Sequence, residues 1–253
     1  MAVAARPITR SPRLASPTPV QEGRGDGDPF IRVYVWQIPV RVAHWTIFLS
    51  MVLLSITGWY LHSPFVAVSS RSGEYTLATV RFIHEVTAFV FTCAFLLRMY
   101  WFFVGNVYAR WKAFVPTTRQ QRRGVGQMLK YYLFLRWVAP DEVGHNPLAA
   151  SMYLLVYALM FVQILTGFAL YQWLLGSGPL VAMFGWLPRL INIQYLREAH
   201  YFVMFLFMAF TIHHVYSALL VSIEAANGLM GSIFSGHKFV RRSVLLREQE
   251  ERP

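Results

Sequence analysis

HYFVMFLFMAFTIHHVYSALLV, residues 200–221, contains no charged residue and three histidines. It lies in a charge-free interval that reaches from Glu198 to Glu224. About 20 predominantly apolar residues in a helix cross a hydrocarbon core of about 30 Å. Lipid offers the backbone no hydrogen bonds, so a run of this kind must be helical. The helix is expected over residues 195–223, and three similar runs precede it. The first, 41–62, has no charge between Arg41 and Arg71. The second, 80–104, carries Arg98 near its far end, where a long cationic side chain can snorkel. The third, 148–174, sits between Glu142 and Arg189 without a charge in the interval. The expected fold is all-α, a membrane protein built as a bundle of four transmembrane helices within residues 39–226.

Composition agrees. The 253 residues are 56% hydrophobic and only 14% charged, whereas soluble domains carry about a quarter charged residues. Aromatic residues make up 16%, which suits interfacial belts and packing around a flat cofactor. A single cysteine, Cys93, excludes an intrachain disulfide and a thiolate-held iron–sulfur cluster on this chain alone. The net charge of +11 does not mark nucleic-acid binding, because no Lys/Arg-rich recognition motif occurs and the basic residues flank the apolar runs. Nineteen Lys/Arg lie in the two tails and the middle connection with its adjoining Arg98; four lie with the other two loops. That asymmetry places both termini and the middle connection in the cytoplasm. Residues 1–38, rich in Pro, Arg, Ser and Gly, read as a disordered cytoplasmic tail, with no signal-peptide h-region, and 227–253 as a cytoplasmic C-terminal tail.

Ionisable or metal-binding side chains inside a membrane span are functional candidates. His44 lies about one turn into the first helix from the cytoplasm, and His84 about one turn into the second from the other side. His200 begins the fourth helix, and His214 follows 14 residues later, about 21 Å deeper. Two histidines thus fall near each membrane face, His44 with His214 and His84 with His200. At about 100° per residue, His214 stays within about 40° of the face of His200, while His213 is about 140° away. Paired imidazoles facing each other across a bundle match the axial ligation of haem iron; zinc sites want three or four protein ligands. Arg41, Arg81 and Arg197 each stand three residues before one of these histidines, on the same helix face and one turn nearer the surface. Cations there suit haem propionates. Gly58 and Gly167, each in a Thr-Gly-aromatic step, permit close approach. His62, His145 and His237 fall at an interface or in connecting segments.

The ordered motifs PVRVAHW (39–45), RFIHE (81–85), GHNPLA (144–149), TGFALY (166–171), MFGW (183–186), HVY (214–216) and SGHKF (235–239) extend from about Tyr34 to Val240. Together they resemble the cytochrome b subunits of membrane-bound nickel–iron hydrogenases, within a di-haem superfamily shared with formate dehydrogenase gamma subunits. The resemblance implies two haem b groups and the bacterial inner membrane. It implies electrons arriving from the iron–sulfur small subunit, and through it from the large NiFe subunit, on the periplasmic side. They would pass from the outer pair to the inner pair and on to quinone, with His145 and Asn146 the nearest polar candidates for a quinone site. No hydrogen activation is expected of this chain alone. A formate dehydrogenase or thiosulfate reductase cytochrome is the related alternative, and a haem-free anchor or transporter the distant one. If the fourth helix is distorted, His213 competes with His214.

Overall fold

The computed structural model describes residues 28–64, 70–137, 143–175, 177–225 and 227–250. Strand β1 (Phe30–Tyr34) leads into helix α1 (Ile38–His62), followed by α2 (Ser70–Val104) and α3 (Arg119–Tyr132). Then come α4 (Pro147–Leu175), the short α5 (Pro179–Phe184) and α6 (Leu187–Leu190), and α7 (Ile193–Ala225). Helix α8 (Leu229–Ser235), strand β2 (His237–Arg241) and helix α9 (Arg242–Glu250) complete the chain. Helices α1, α2, α4 and α7 are long and apolar enough to cross a membrane, over Ile38–His62, Tyr75–Val104, Pro147–Gln172 and Ile193–Glu224. The four expected spans are therefore present; the first, second and fourth are somewhat longer than the sequence reading, and the third begins one residue earlier and ends two earlier. Proline near the first position of α1 and at the start of α4 marks where those helices begin, since a missing N–H is harmless there.

In the bundle α1 packs along α2 and α4 along α7, with α1 against α7 and α2 against α4 closing the ring. Ile47, Phe91, Phe95, Val156, Met160, Val203 and Phe207 meet at its centre. Large apolar side chains on the opposite helix faces, such as Leu49, Phe202 and Ile212, stay exposed on the surface that meets lipid.

Two departures from the expected tails stand out. Residues 28–38 are not a disordered tail: Phe30–Tyr34 pairs antiparallel with His237–Arg241, in the segment expected to be a plain C-terminal tail. The residues 1–27 and 251–253 of those tails lie outside the described residues. The backbone N–H groups of Val35 and Trp36 donate to Gly236 O at 2.8 and 3.1 Å. Gly236 adopts φ +82°, and a Cβ there would meet Tyr34 Cε2 at 2.6 Å, so only glycine fits. Val35, Trp36, Tyr108, Val143, Val240, Val244 and Leu245 make a second core under this pair. Gln37 Oε1 accepts from Trp101 Nε1 and Asn106 N, both at 2.8 Å, tying the end of α2 to the start of α1. These elements cap one end of the bundle.

Trp36 Nε1 donates to Ser232 Oγ at 2.8 Å, and both residues are buried. Ser232→Ala strands that N–H and is expected to destabilise the cap by about 1–3 kcal/mol. Hydrogen exchange should then accelerate in Phe30–Tyr34 and His237–Arg241 while the amides of the spanning helices keep their protection.

Candidate cofactor site

At the end of the bundle opposite the cap, a cavity of about 550 Å³ is lined by His84 of α2 and His200 of α7, a size within the roughly 300–1,000 Å³ of small-ligand and cofactor pockets. Each imidazole is held from behind by a threonine on a neighbouring helix. Thr57 Oγ1 donates its one proton to Leu53 O at 2.7 Å and lies 2.8 Å from His84 Nδ1. Thr166 Oγ1 donates to Val162 O at 2.9 Å and lies 2.9 Å from His200 Nδ1. A hydroxyl has one proton to give, so each threonine oxygen accepts from a histidine Nδ1–H. Both Nε2 atoms are left unprotonated, with a lone pair for a metal. In the same sense Gln163 Nε2 donates to His200 Nε2 at 3.3 Å, and Gln163 Oε1 is buried with no hydrogen-bond partner.

The glycine after each threonine makes room for the ring. A Cβ on Gly58 would stand 3.3 Å from His84 Cε1, and one on Gly167 3.1 Å from His200 Cε1. Thr57, Thr166 and Gln163 are the site residues that the sequence reading missed. Their signal was present: a threonine precedes each glycine already singled out.

The second pair lies near the capped end. The His44 and His214 rings are 6.3 Å apart between centroids. A metal bound by both imidazoles through bonds of about 2.0 Å sets the ring centroids roughly 6 Å apart, so the spacing fits one metal ion. His214 stacks on Phe210 and lies 3.5 Å from Tyr153 OH through Nδ1. His44 Nδ1 is buried without a hydrogen-bond partner. The neighbouring His213 is exposed and lies 3.4 Å from Ser217 Oγ, so the histidine that faces His44 is His214.

Among the described residues, no three metal-capable side chains come together. A metal held at either pair must therefore arrive with most of its ligands already in place, as iron does in a porphyrin. The residues fit that group: two imidazoles brought together at each position, a cavity at one of them, and glycines where a ring edge needs space. Phe91 and Phe207 line the cavity and belong to the central core, so the apolar layer lies between the two pairs.

Of the arginines, Arg81 and Arg197 line the cavity beside Glu85 and Glu198, and Arg197 Nη1 also donates to Gln194 Oε1 at 3.1 Å. Arg41 instead donates to the Phe234 carbonyl of α8, and its Nε is buried without a partner. His145 is wedged among Trp36, Phe114 and Tyr153, with ring centroids 4.5 to 5.0 Å away, rather than turned to solvent. Burial pushes its imidazole down to about 3, reinforced by the Arg98 and Lys238 charges, so it is neutral near pH 7. Asn146 Oδ1 accepts from Ala149 N at 2.7 Å and so caps α4. His62 stacks on Tyr201 at 3.6 Å, and both line the cavity.

Residues 35–236 match the family model described as prokaryotic cytochrome b561. The chain is 34% identical over 239 residues to a probable Ni/Fe-hydrogenase B-type cytochrome subunit of Cupriavidus necator, covering 89% of this chain and 95% of the relative. It is 33% identical over 223 residues to the probable Ni/Fe-hydrogenase 1 B-type cytochrome subunit of Escherichia coli K12, covering 84% and 94%. A probable Ni/Fe-hydrogenase B-type cytochrome subunit of Rhodobacter capsulatus is 32% identical over 213 residues, covering 81% of each chain.

Thr166→Val keeps the side-chain shape and removes the acceptor for His200 Nδ1–H, a loss expected to cost about 1–3 kcal/mol. Cofactor occupancy at the His84–His200 position should fall and its midpoint potential should move. Thr166→Ser should retain both, as read by visible spectra and redox titration of the purified proteins.

Proposed function

The chain belongs to the prokaryotic cytochrome b561 family, a family of b-type haem proteins, and from that we propose that it is the electron-transfer subunit of a nickel–iron hydrogenase. The observation that carries the reading is the pair of histidines brought together at each end of one bundle, His84 with His200 and His44 with His214. Each pair holds one haem b. The haem iron, when bound, supplies a one-electron couple. The protein's own residues orient the ligands and separate the two pairs with the Phe91, Phe95 and Phe207 layer. Arg81 and Arg197 at the cavity, and Arg41 at the other end, supply cations for the propionates.

The positive-inside bias supports an orientation with both termini, the strand pair and the α2–α4 connection on the cytoplasmic side of a bacterial inner membrane. The His84–His200 end then faces the periplasm. There the chain accepts electrons from the iron–sulfur small subunit, which the large NiFe subunit supplies, and it delivers them to quinone at the His44–His214 end. The names of the similar proteins support the hydrogenase partner. His145, neutral and enclosed by aromatic rings that reach His214 through Tyr153, and the amide of Asn146 are the polar groups offered to a quinone head.

The decisive experiment is pyridine haemochrome quantitation with a dithionite-reduced minus oxidised spectrum on the purified chain. Two haem b per chain are expected, falling to one in His84→Ala and in His44→Ala. A folded, membrane-inserted chain without haem overturns the proposal. Asn146→Asp keeps the helix cap and loses the amide donor, so quinone reduction should slow while haem content stays constant. An unchanged quinone rate would remove Asn146 from the site.

A further inference from the structure

Helix α3 lies outside the four spans and carries a surface that the electron-transfer role leaves unused. Gly124, Met128 and Tyr131 form its buried side. A Cβ on Gly124 would stand 2.8 Å from Pro147 Cγ at the start of α4, and Tyr131 OH donates to Glu224 near the end of α7. The helix is therefore held where two spanning helices leave the hydrocarbon. Its other side is basic, with Arg119, Arg122, Arg123 and Lys130 all exposed.

The chain then turns back sharply. Phe134 N donates to Tyr131 O at 3.0 Å and Leu135 N to Lys130 O at 2.8 Å, the bond pattern of a Schellman stop. The position that normally takes glycine in that stop holds Phe134, at φ +58°. A bulky residue is rare in this left-handed region and is held there at a cost. The turn presents a run of apolar side chains: Leu133 is 58% exposed, Phe134 85%, Leu135 72% and Trp137 90%, with Arg136 among them. An unfavourable backbone conformation that displays an aromatic ring to solvent needs something to bury the ring.

We propose that α3 and residues 133–137 dock on the bilayer that surrounds the protein, specifically on anionic lipid. Phe134 and Trp137 enter the boundary between headgroups and acyl chains, while the basic side of α3 binds lipid phosphates. Charge complementarity and the seating of α3 against the start of α4 and the end of α7 favour this occupant over a protein.

The test uses the full-length, haem-loaded chain in nanodiscs, spin-labelled at Phe134→Cys in a Cys93→Ser background. Power saturation compares contact with oxygen, which concentrates in lipid, and with a water-soluble nickel chelate. In discs rich in phosphatidylglycerol the label should lose contact with the chelate and keep contact with oxygen. Chelate contact should return in phosphatidylcholine discs and, independently, on neutralising the basic side with R119Q, R122Q, R123Q and K130Q. Chelate contact in anionic discs overturns the proposal, as does equal protection in neutral lipid. Exclusion of both probes also overturns it, because a partner protein or a second copy of the chain would then cover the turn.

Discussion

His84 and His200 depend on a single kind of contact, a threonine hydroxyl that accepts an imidazole N–H inside lipid. The hydroxyl proton is already spent on the carbonyl of the preceding turn, at Leu53 for Thr57 and at Val162 for Thr166. What remains is an acceptor with one purpose, and it sets which nitrogen of His84 and His200 is left bare. Water would compete for such a contact at a surface. Within a span it has no competitor, so one neutral hydrogen bond suffices to set tautomer and ring direction together.

The arrangement repeats at two levels because an α-helix nearly recovers its direction after 14 residues. On α7 this spacing relates His200 to His214; on α1 it relates His44 to Gly58, and on α4 Tyr153 to Gly167. Helix α2 follows the same spacing from His84 to Arg98, which is buried against Phe114 and Tyr157. At the open end two helices present imidazoles and two present glycines. At the capped end the same faces present two imidazoles, a tyrosine that touches one of them, and an arginine. A single bundle geometry thus brings histidines together at two levels whose surroundings differ in polarity, and polarity around a bound metal is a principal control on its potential.

The spans and the pairing of histidines were legible because both depend on local periodicity: charge-free length gives the helix, and residue spacing gives depth and azimuth. The choice of His214 over its neighbour followed from the same arithmetic, and the structure turns His213 outward. The strand pair was not legible, because its two halves lie about 200 residues apart and neither five-residue segment is distinctive on its own. Thr57 and Thr166 were visible as letters but not as partners, since a threonine in a membrane helix more often serves only its own backbone. Helix α3 was hidden by its polar composition, although Thr118 and Gln121 form a capping box at its start.

The position of β2 after α7 bears on how the protein is made. His44 and His84 leave the ribosome first, on α1 and α2, but each is paired with a histidine of α7, the fourth spanning helix among the described residues. Neither pair exists until α7 has been made, and the strand that pairs with Phe30–Tyr34 follows it. A polypeptide that stops before α7 carries His44 and His84 without their partners, so a group that needs both members of a pair can be held only once α7 is in place.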